Sequence, residues 1–172
     1  EAFTKTTLAN SKPSDLIWLQ DFHLMLMPAQ LRKRRRKARI GWFCHIPWPG
    51  PDHFQMLPWG ESILHGLLGA DVLGFHTRAY ARNFMHCLEG RPGIELDSNG
   101  QRVFFEGREV HIRVQPIGIP FDEWENLARR PEVARKAQEL RERVGNRTII
   151  LGVDRLDYTK GFPERMLAYE QF

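Results

Sequence analysis

The sequence predicts an α/β fold in which a parallel sheet carries helices on both faces. Short apolar runs typical of strands alternate along the chain with segments that have helical apolar spacing. The runs are apolar at nearly every position, as in parallel strands that are buried on both faces. Sheets of this kind bind ligands beyond the carboxyl ends of their strands. Functional residues are therefore expected in the loops that follow the strands.

Four apolar runs are predicted to form the parallel strands. They span residues 16–20, 40–46, 71–76 and 148–153. A β-hairpin is predicted from 102–105 and 109–115, which are joined through Glu106, Gly107 and Arg108. This order places three strands in the first half of the chain and one near its end.

Five segments are predicted to form helices, and prolines and glycines mark several of their ends. The helices span about 24–37, 59–69, 78–88 and 131–144, and a fifth begins at 162. Pro131 suits the first position of its helix, which Gly145 and Asn146 end. Three prolines at positions 47, 49 and 51 predict an extended loop.

Composition excludes several classes of protein. Hydrophobic residues make up 42% and charged residues 27% of the 172 residues, as in a soluble globular domain. No apolar stretch of about 18 residues supports a membrane span. The chain lacks an initiator Met and ends inside a predicted helix, so we expect an internal piece of a longer protein. The only cysteines, Cys44 and Cys87, favour a reducing cytoplasm and are better explained as small buried residues than as nucleophiles.

One basic run accounts for the net charge of +4. Residues 32–39 carry seven positive charges, so the rest of the chain has a net charge of −3. A solvated helix end, whose cations complement the helix dipole, is the favoured interpretation. A nucleic-acid patch is the alternative, and no second basic surface supports it.

Three loops that follow predicted strands contain candidate functional residues. Asp21 is either a ligand for sugar hydroxyls or the N-cap of the next helix. His45 stands before the proline-rich loop, where it is either a binding or catalytic residue or a core histidine. Thr77 is predicted to cap the helix that begins at Arg78.

The loop 154–161 has the composition of an anion site. Arg155 and Lys160 lie beyond a predicted strand and just before a helix N-terminus, an arrangement suited to a diphosphate. Alternatively, Asp154 and Asp157 pair with these two cations. The loop is not a Walker A motif, no GxGxxG is present, and no histidine spacing indicates a metal site.

Six segments in register resemble the trehalose-6-phosphate synthase family, a family of retaining GT-B glycosyltransferases. They are 18–24, 45–49, 57–59, 68–77, 116–119 and 154–161. The resemblance covers residues from about 14 to 172. The sequence departs from the family at Phe22, where Tyr is usual, and at Trp48, where Phe is usual.

The resemblance implies two Rossmann-like domains. Residues 1–146 would be the second half of the acceptor-side domain, and 147–172 the start of the nucleotide-sugar-binding domain. It also implies transfer of glucose from UDP-glucose to glucose-6-phosphate without a metal or another cofactor, giving trehalose-6-phosphate. Since parts of both family binding sites are missing from these 172 residues, we expect the chain alone to show no turnover.

The resemblance assigns roles to four residues. Asp21 matches the carboxylate that holds glucose-6-phosphate, and His45 matches the histidine against the donor glucose. Arg155 and Lys160 match the pair that binds the UDP diphosphate. A glucosylglycerol-phosphate synthase and a non-catalytic regulatory relative remain alternatives. The expected partners are small-molecule substrates, with no nucleic acid and no membrane, and a homo-oligomer is left open.

Overall fold

The computed structural model describes residues 1–145 and 147–172, which form two compact units. Unit 1 is Glu1–Gly118 and unit 2 is Ile119–Phe172. Asn146 lies outside the described residues, so the predicted end of the long helix at Asn146 and the domain boundary there are not described.

Unit 1 is built on a six-stranded mixed sheet in the order β1-β2-β3-β6-β5-β4. The β1, β2, β3 and β6 strands are parallel to one another, whereas β5 runs antiparallel to both of its neighbours, β6 and β4. The strands are β1 (Leu16–Gln20), β2 (Arg39–Cys44), β3 (Val72–Phe75), β4 (Ile94–Leu96), β5 (Arg102–Phe105) and β6 (Arg108–Val114). The α/β prediction is confirmed, with an antiparallel extension at one edge.

Among the described residues, five helices belong to unit 1 and three to unit 2. In unit 1 they are α1 (Ala2–Ala9), α2 (Met27–Arg34), α3 (Pro51–Phe54), α4 (Gly60–Leu67) and α5 (Arg78–Leu88). In unit 2 they are α6 (Phe121–Ala128), α7 (Pro131–Val144) and α8 (Phe162–Gln171). Short 3₁₀ turns cover Phe22–Leu24 and Tyr158–Lys160. No helix among the described residues is long and apolar enough to cross a membrane.

The core of unit 1 lies on one face of the sheet. Trp42, Phe75, Phe84, Leu31 and Leu64 are fully buried there. On β1, by contrast, burial alternates, and the face that carries Trp18 is half exposed. On this second face, an aromatic residue of one strand is paired with a glycine of the next strand, and the aromatic ring covers the glycine. The Trp18 ring lies where a side chain on Gly41 would be, and the Phe43 ring lies likewise over Gly74.

Two strand predictions need correction. The strand predicted to end at 46 ends at Cys44, because the next N–H, that of His45, donates to the Asp21 carboxylate. Residues 148–153 form no strand, and Leu151 and Val153 are 82% and 79% exposed. A buried strand needs hydrogen-bonded neighbours on a sheet. Among the described residues of unit 2 no such neighbour is present.

The turns and helices follow the sequence more closely. The helix over 78–88, the helix over 131–144 and the one starting at 162 are confirmed, whereas the helix predicted over 24–37 is a 3₁₀ turn followed by α2. Pro51 begins α3 instead of extending the loop, since proline suits the first helical position. The hairpin turns through two residues, Glu106 and Gly107, which both have positive φ. The α1, β4 and α6 elements were not predicted.

Candidate functional site

Residues that follow β1, β2 and β3 come together at the carboxyl edge of the sheet. Gln20 ends β1 and Asp21 follows it, His45 follows β2, and His76 follows β3. These strands are neighbours in the sheet, and their parallel pairing brings their carboxyl ends side by side. We call these four residues, together with the Phe43 ring that lies against both histidines, the carboxyl-edge cluster. It lies where ligands bind in open α/β sheets.

Asp21 has a backbone conformation that only glycine adopts easily, with φ 63° and ψ 179°. Its N–H donates to Phe43 O at 2.8 Å, and its carbonyl accepts the Trp42 Nε1–H at 3.0 Å. Residues held in this region cost of order 1–3 kcal/mol and persist where the surrounding structure imposes them. The buried Trp42 ring and the β2 backbone do so here. Such strain is found at functional sites, although it also occurs elsewhere.

The Asp21 carboxylate does not cap a helix. It precedes the 3₁₀ turn Phe22–Leu24, yet its side chain accepts no hydrogen bond from that turn. Its Oδ1 instead accepts the backbone N–H of His45 at 3.3 Å. The strained backbone therefore orients the carboxylate across the sheet edge toward the end of β2. Of the two interpretations left open for Asp21, the structure does not support the N-cap.

His45 is exposed at the end of β2 and is not a core histidine. Its Nε2 lies 2.6 Å from Gln20 Oε1. The centroid of its ring lies 5.0 Å from that of Phe43 and 5.5 Å from that of His76. Contacts with Gln20 and Phe43 hold the ring in one orientation at the edge of the sheet. A positioned, exposed imidazole can exchange hydrogen bonds with a sugar hydroxyl.

Sequence reasoning missed two members of the cluster. Gln20 was assigned to β1 and His76 to β3, and neither was considered as part of a site. The parallel pairing supplies the signal, because Gln20 lies beside Phe43 in the sheet and Phe43 beside Gly74. Side chains at the ends of neighbouring strands therefore meet. Thr77, in contrast, is confirmed as a cap, since its Oγ1 accepts the Tyr80 N–H at 3.2 Å.

The two carboxylates of the loop 154–161 have hydrogen-bonding partners within unit 2. Asp154 pairs with Arg165 at 2.6 Å, and Asp157 accepts the Thr159 N–H and hydroxyl at 2.9 and 2.8 Å. The Thr159 N–H and then its hydroxyl lower the pKa of Asp157. Within the described residues neither Arg155 nor Lys160 forms a salt bridge. Neither Asp154 nor Asp157 therefore forms a salt bridge with these two cations, although the charges of Arg155 and Lys160 also help to lower the pKa of Asp157.

The same loop ends at the N-terminus of a helix. Gly161 has a left-handed backbone with φ 61° and caps α8, which begins at the next residue. Lys160 thus lies two residues before a ten-residue helix, and its carbonyl accepts the Arg165 Nη2–H at 2.8 Å. Arg155 is exposed. Lys160 therefore lies near the positive end of a helix dipole, a position that favours the oxygens of a phosphate group.

One protein family matches this chain along its whole length. The profile of glycosyltransferase family 20 matches residues 1–172. This chain belongs to glycosyltransferase family 20.

Relatives of this family-20 chain carry consistent descriptions. It is 38% identical over 170 residues to a probable alpha,alpha-trehalose-phosphate synthase [UDP-forming] of Arabidopsis thaliana, covering 99% of this chain and 20% of the plant protein. It is 37% identical to the 56 kDa subunit of the corresponding Saccharomyces cerevisiae synthase, covering all of this chain and 35% of the yeast protein. The chain thus spans about a fifth to a third of these relatives.

Solved structures of family 20 share the fold. One described as trehalose-6-phosphate from E. coli bound with UDP-2-fluoro glucose has a TM-score of 0.86 and 36% identity, over 98% of this chain and 37% of that one. A Burkholderia vietnamiensis alpha,alpha-trehalose-phosphate synthase has a TM-score of 0.83 and 32% identity, over 99% of this chain and 38% of that one. These likenesses confirm the GT-B fold class that the resemblance implied.

The basic run of this family-20 chain is only partly the solvated helix end that the sequence predicts. Lys33, Arg34, Arg36 and Lys37 are exposed, whereas Arg32, Arg35 and Arg39 bind the backbone of other segments. Arg32 donates to the carbonyls of Gly69, Arg36 and Ala38, and it pairs with Asp71. Arg35 donates to carbonyls of the segment that follows α1, and Arg39 donates to Ser14 O at 2.6 Å. Guanidinium groups bind several carbonyls at once, so the run joins α1, α2 and the first two strands.

No group of three or more His, Cys, Asp or Glu side chains within residues 1–145 and 147–172 is arranged to hold a metal ion. Both cysteines are free and buried. Burial raises the pKa of the Cys44 thiol to about 11 and also raises that of Cys87. Protonated, buried thiols are poor nucleophiles, in keeping with the structural interpretation of both.

We expect both thiols of the folded chain to resist alkylation by iodoacetamide at pH 8. With a pKa of about 11, only about one Cys44 thiol in a thousand is a thiolate at that pH. Mass spectrometry should show slow labelling that accelerates strongly in urea, where the ordinary pKa returns. Fast labelling of Cys44 in the folded chain would contradict its buried, protonated state.

Proposed function

We propose that this chain is part of a retaining glucosyltransferase that moves glucose from UDP-glucose to glucose-6-phosphate, giving trehalose-6-phosphate and UDP. The observation that carries the proposal is the loop 154–161, where Asp154 pairs with Arg165 of α8, Asp157 binds Thr159, and neither Arg155 nor Lys160 forms a salt bridge with a described residue. A UDP-forming enzyme needs such cations, because UDP leaves with added negative charge. Membership of family 20 and the relatives described as UDP-forming synthases support the same activity.

In this proposal Asp21 accepts hydrogen bonds from hydroxyls of the acceptor, glucose-6-phosphate. Its strained backbone and its contact with the His45 N–H orient the carboxylate before the acceptor arrives. A group that needs no reorientation loses little entropy on binding. Because charged acceptors make strong hydrogen bonds, the carboxylate is well suited to hold a sugar hydroxyl.

His45 lies against the donor glucose in this proposal. Gln20 binds one ring nitrogen, which leaves the other available for a hydroxyl of the donor. Fixing one nitrogen also selects the tautomer of the ring. The imidazole thereby orients the sugar whose anomeric carbon reacts.

Arg155 and Lys160 stabilise the transition state. As the bond between the anomeric carbon and the UDP oxygen lengthens, negative charge grows on the diphosphate. Fixed cations lower the free energy of that charge more than they lower that of the bound substrate. The acceptor hydroxyl attacks from the face that UDP leaves, so the configuration at the anomeric carbon is retained. No covalent enzyme intermediate is part of this mechanism.

The proposed roles divide the chain into two functional parts. Residues 1–146 contribute to the acceptor-side domain, which contains Asp21 and His45. Residues 147–172 begin the nucleotide-sugar-binding domain, which contains Arg155 and Lys160. The two free cysteines favour a cytoplasmic location for the protein.

The test is release of UDP from UDP-glucose by the full-length protein, with glucose-6-phosphate compared with glycerol-3-phosphate. We expect release only with glucose-6-phosphate, and trehalose-6-phosphate as the product. Release only with glycerol-3-phosphate would retain the donor site and replace the acceptor. Release with neither compound would overturn the transfer proposal and favour a regulatory relative.

A further inference from the structure

His45 lies between two neighbouring strands at the carboxyl edge of the sheet. It follows β2, which pairs with β1 on one side and with β3 on the other. Gln20, the last residue of β1, holds the imidazole from the first side, with its Oε1 2.6 Å from His45 Nε2. His76, which follows β3, lies on the second side, and the centroids of the two imidazole rings are 5.5 Å apart. The proposed transfer mechanism gives His76 no role.

The register of the strands explains why these side chains meet. Gln20 pairs with Phe43, and Phe43 pairs with Gly74. His45 and His76 each follow one of these paired residues by two positions, and side chains two positions apart in an extended chain lie on the same face of a sheet. Both imidazoles therefore continue the face of the sheet that carries the Phe43 ring.

The glycine on β3 allows one aromatic ring to contact both histidines. The Phe43 ring lies where a side chain on Gly74 would be. Its centroid is 4.9 Å from that of His76, with the ring planes at 78°, and 5.0 Å from that of His45. Edge-to-face pairs of this kind are a favourable arrangement of aromatic rings. Phe43 thus forms a common base on which the two imidazoles pack side by side.

One hydrogen bond alone would hold the His45 ring only weakly. Gln20 and His45 are both exposed, so water competes for the groups that join them. The half-buried His76 ring occupies space on the β3 side that the His45 ring could otherwise enter. Exclusion of that space favours the orientation in which His45 Nε2 reaches Gln20.

We propose that His76 is a positioning residue for His45, whose imidazole it restricts, by packing, to the orientation that Gln20 completes with its hydrogen bond. The inference rests on the proposed function, in which His45 lies against the donor glucose. Ordering a mobile side chain on binding costs affinity, and a side chain that is already ordered avoids that cost. His76 therefore acts through its ring, and it strengthens binding of the glucose part of UDP-glucose.

The test is calorimetric titration of the full-length protein with UDP-glucose and, separately, with UDP. We expect His76→Ala to weaken binding of UDP-glucose by about three- to tenfold. Its affinity for UDP should stay within about twofold of the wild type, because UDP has no glucose for His45 to contact. Equal weakening of both ligands would show a general structural effect and overturn the proposal.

The matched control is His86→Ala, which removes an exposed histidine from the last turn of α5. We expect it to bind both ligands within about twofold of the wild type. If His86→Ala weakens UDP-glucose as selectively as His76→Ala does, the effect is not specific to the carboxyl-edge cluster and the proposal is wrong.

A conservative variant separates packing from hydrogen bonding. His76→Phe retains an aromatic ring on Phe43 and removes both ring nitrogens. We expect its affinity for UDP-glucose to lie within about twofold of the wild type. A loss as large as that of His76→Ala would show that His76 acts through its nitrogens, which contradicts a role in packing.

Removal of His45 shows whether His76 acts through it. In a His45→Ala background, His76→Ala should cause no further loss of affinity for UDP-glucose, because no imidazole remains to be positioned. A further loss of about threefold or more would show an independent contact with the ligand and overturn the positioning role. Wild-type protein that binds neither ligand would overturn the proposed function together with this inference. If the wild type binds both ligands and His76→Ala binds UDP-glucose equally well, only the inference on His76 is lost.

Discussion

Arg155→Ala in the full-length protein is expected to lower kcat/KM for UDP-glucose by about 10²–10³-fold. The guanidinium group of Arg155 is exposed and forms no salt bridge with a described residue, although its charge helps to lower the pKa of Asp157. With no described carboxylate within salt-bridge distance, its charge can act on the proposed leaving diphosphate. Removal of one fixed donor to a developing oxyanion costs about 2.7–4 kcal/mol of transition-state stabilisation in other enzymes.

Two further variants define the chemical basis of this effect. Arg155→Lys should recover part of the activity, since the charge remains while the planar pair of donors is lost. Arg129→Ala is the matched control, because Arg129 is an exposed arginine of the same unit that pairs only with Glu125 on the surface of α6. We expect its kcat/KM to stay within about twofold of the wild type, as for other exposed ion pairs.

Steady-state kinetics with UDP-glucose as the varied substrate provide the measurement. A fall in kcat with an unchanged KM would show that Arg155 acts in the transition state. A rise in KM alone would show that it binds the ground state and the transition state equally. An Arg155→Ala enzyme with wild-type kinetics would contradict the proposed diphosphate site.

Asp71→Ala is expected to lower the free energy of unfolding of the chain by about 2–3 kcal/mol. Asp71 lies just before β3, at the edge of the sheet opposite the carboxyl-edge cluster. Its Oδ1 accepts hydrogen bonds from Arg32 and Arg108 at 2.6 and 2.9 Å, and its Oδ2 accepts the Ile40 N–H at 2.8 Å. One carboxylate thus joins α2, β2, β3 and β6.

The neighbouring charges explain the size of this effect. Burial and then the nearby Arg32 lower the pKa of Arg108, so these two guanidinium groups repel each other. Removal of Asp71 leaves that repulsion uncompensated and the Ile40 N–H without its acceptor. The Asp71 side chain is 40% exposed, so solvent screens part of the loss. The expected change is therefore smaller than the 3–5 kcal/mol typical of a fully buried pair.

Urea unfolding followed by circular dichroism measures this change. Glu125→Ala, which removes an exposed ion pair within α6, should change stability by less than about 0.5 kcal/mol. If Asp71→Ala also changes stability by less than that, the four elements are held together without this ion cluster. In the full-length protein, Asp71→Ala should leave KM for UDP-glucose unchanged, since the substrate-binding residues proposed here lie elsewhere.

The carboxyl-edge cluster was only partly predictable from sequence. Asp21 and His45 are candidates because Asp21 follows a strand-like run and His45 stands near the end of one, a rule that needs no knowledge of neighbouring strands. Gln20 and His76 were missed because their importance comes from the pairing of β1 with β2 and of β2 with β3. The positive φ of Asp21 was also not predictable, because glycine is the residue expected at a position with positive φ.

The contacts of the basic run were also not predictable from sequence. Spacing alone indicates that residues 32–39 are cations, and a charged run is usually solvated. Arg32, Arg35 and Arg39 nevertheless donate to carbonyls of segments that are distant in sequence. These acceptors are backbone atoms, which have no residue signature.

Sequence by itself determined the alternation of strands and helices, the hairpin, the Thr77 cap and the family of this chain. These features depend on local periodicity, on capping chemistry and on motifs that are continuous in the chain. Tertiary structure alone decided the antiparallel edge of the sheet, the absence of a strand at 148–153 among the described residues, the strained Asp21 and the partners of the arginines. Each of these depends on which distant backbone groups come within hydrogen-bonding distance, and hydrogen bonds between distant segments leave no periodic pattern in the sequence.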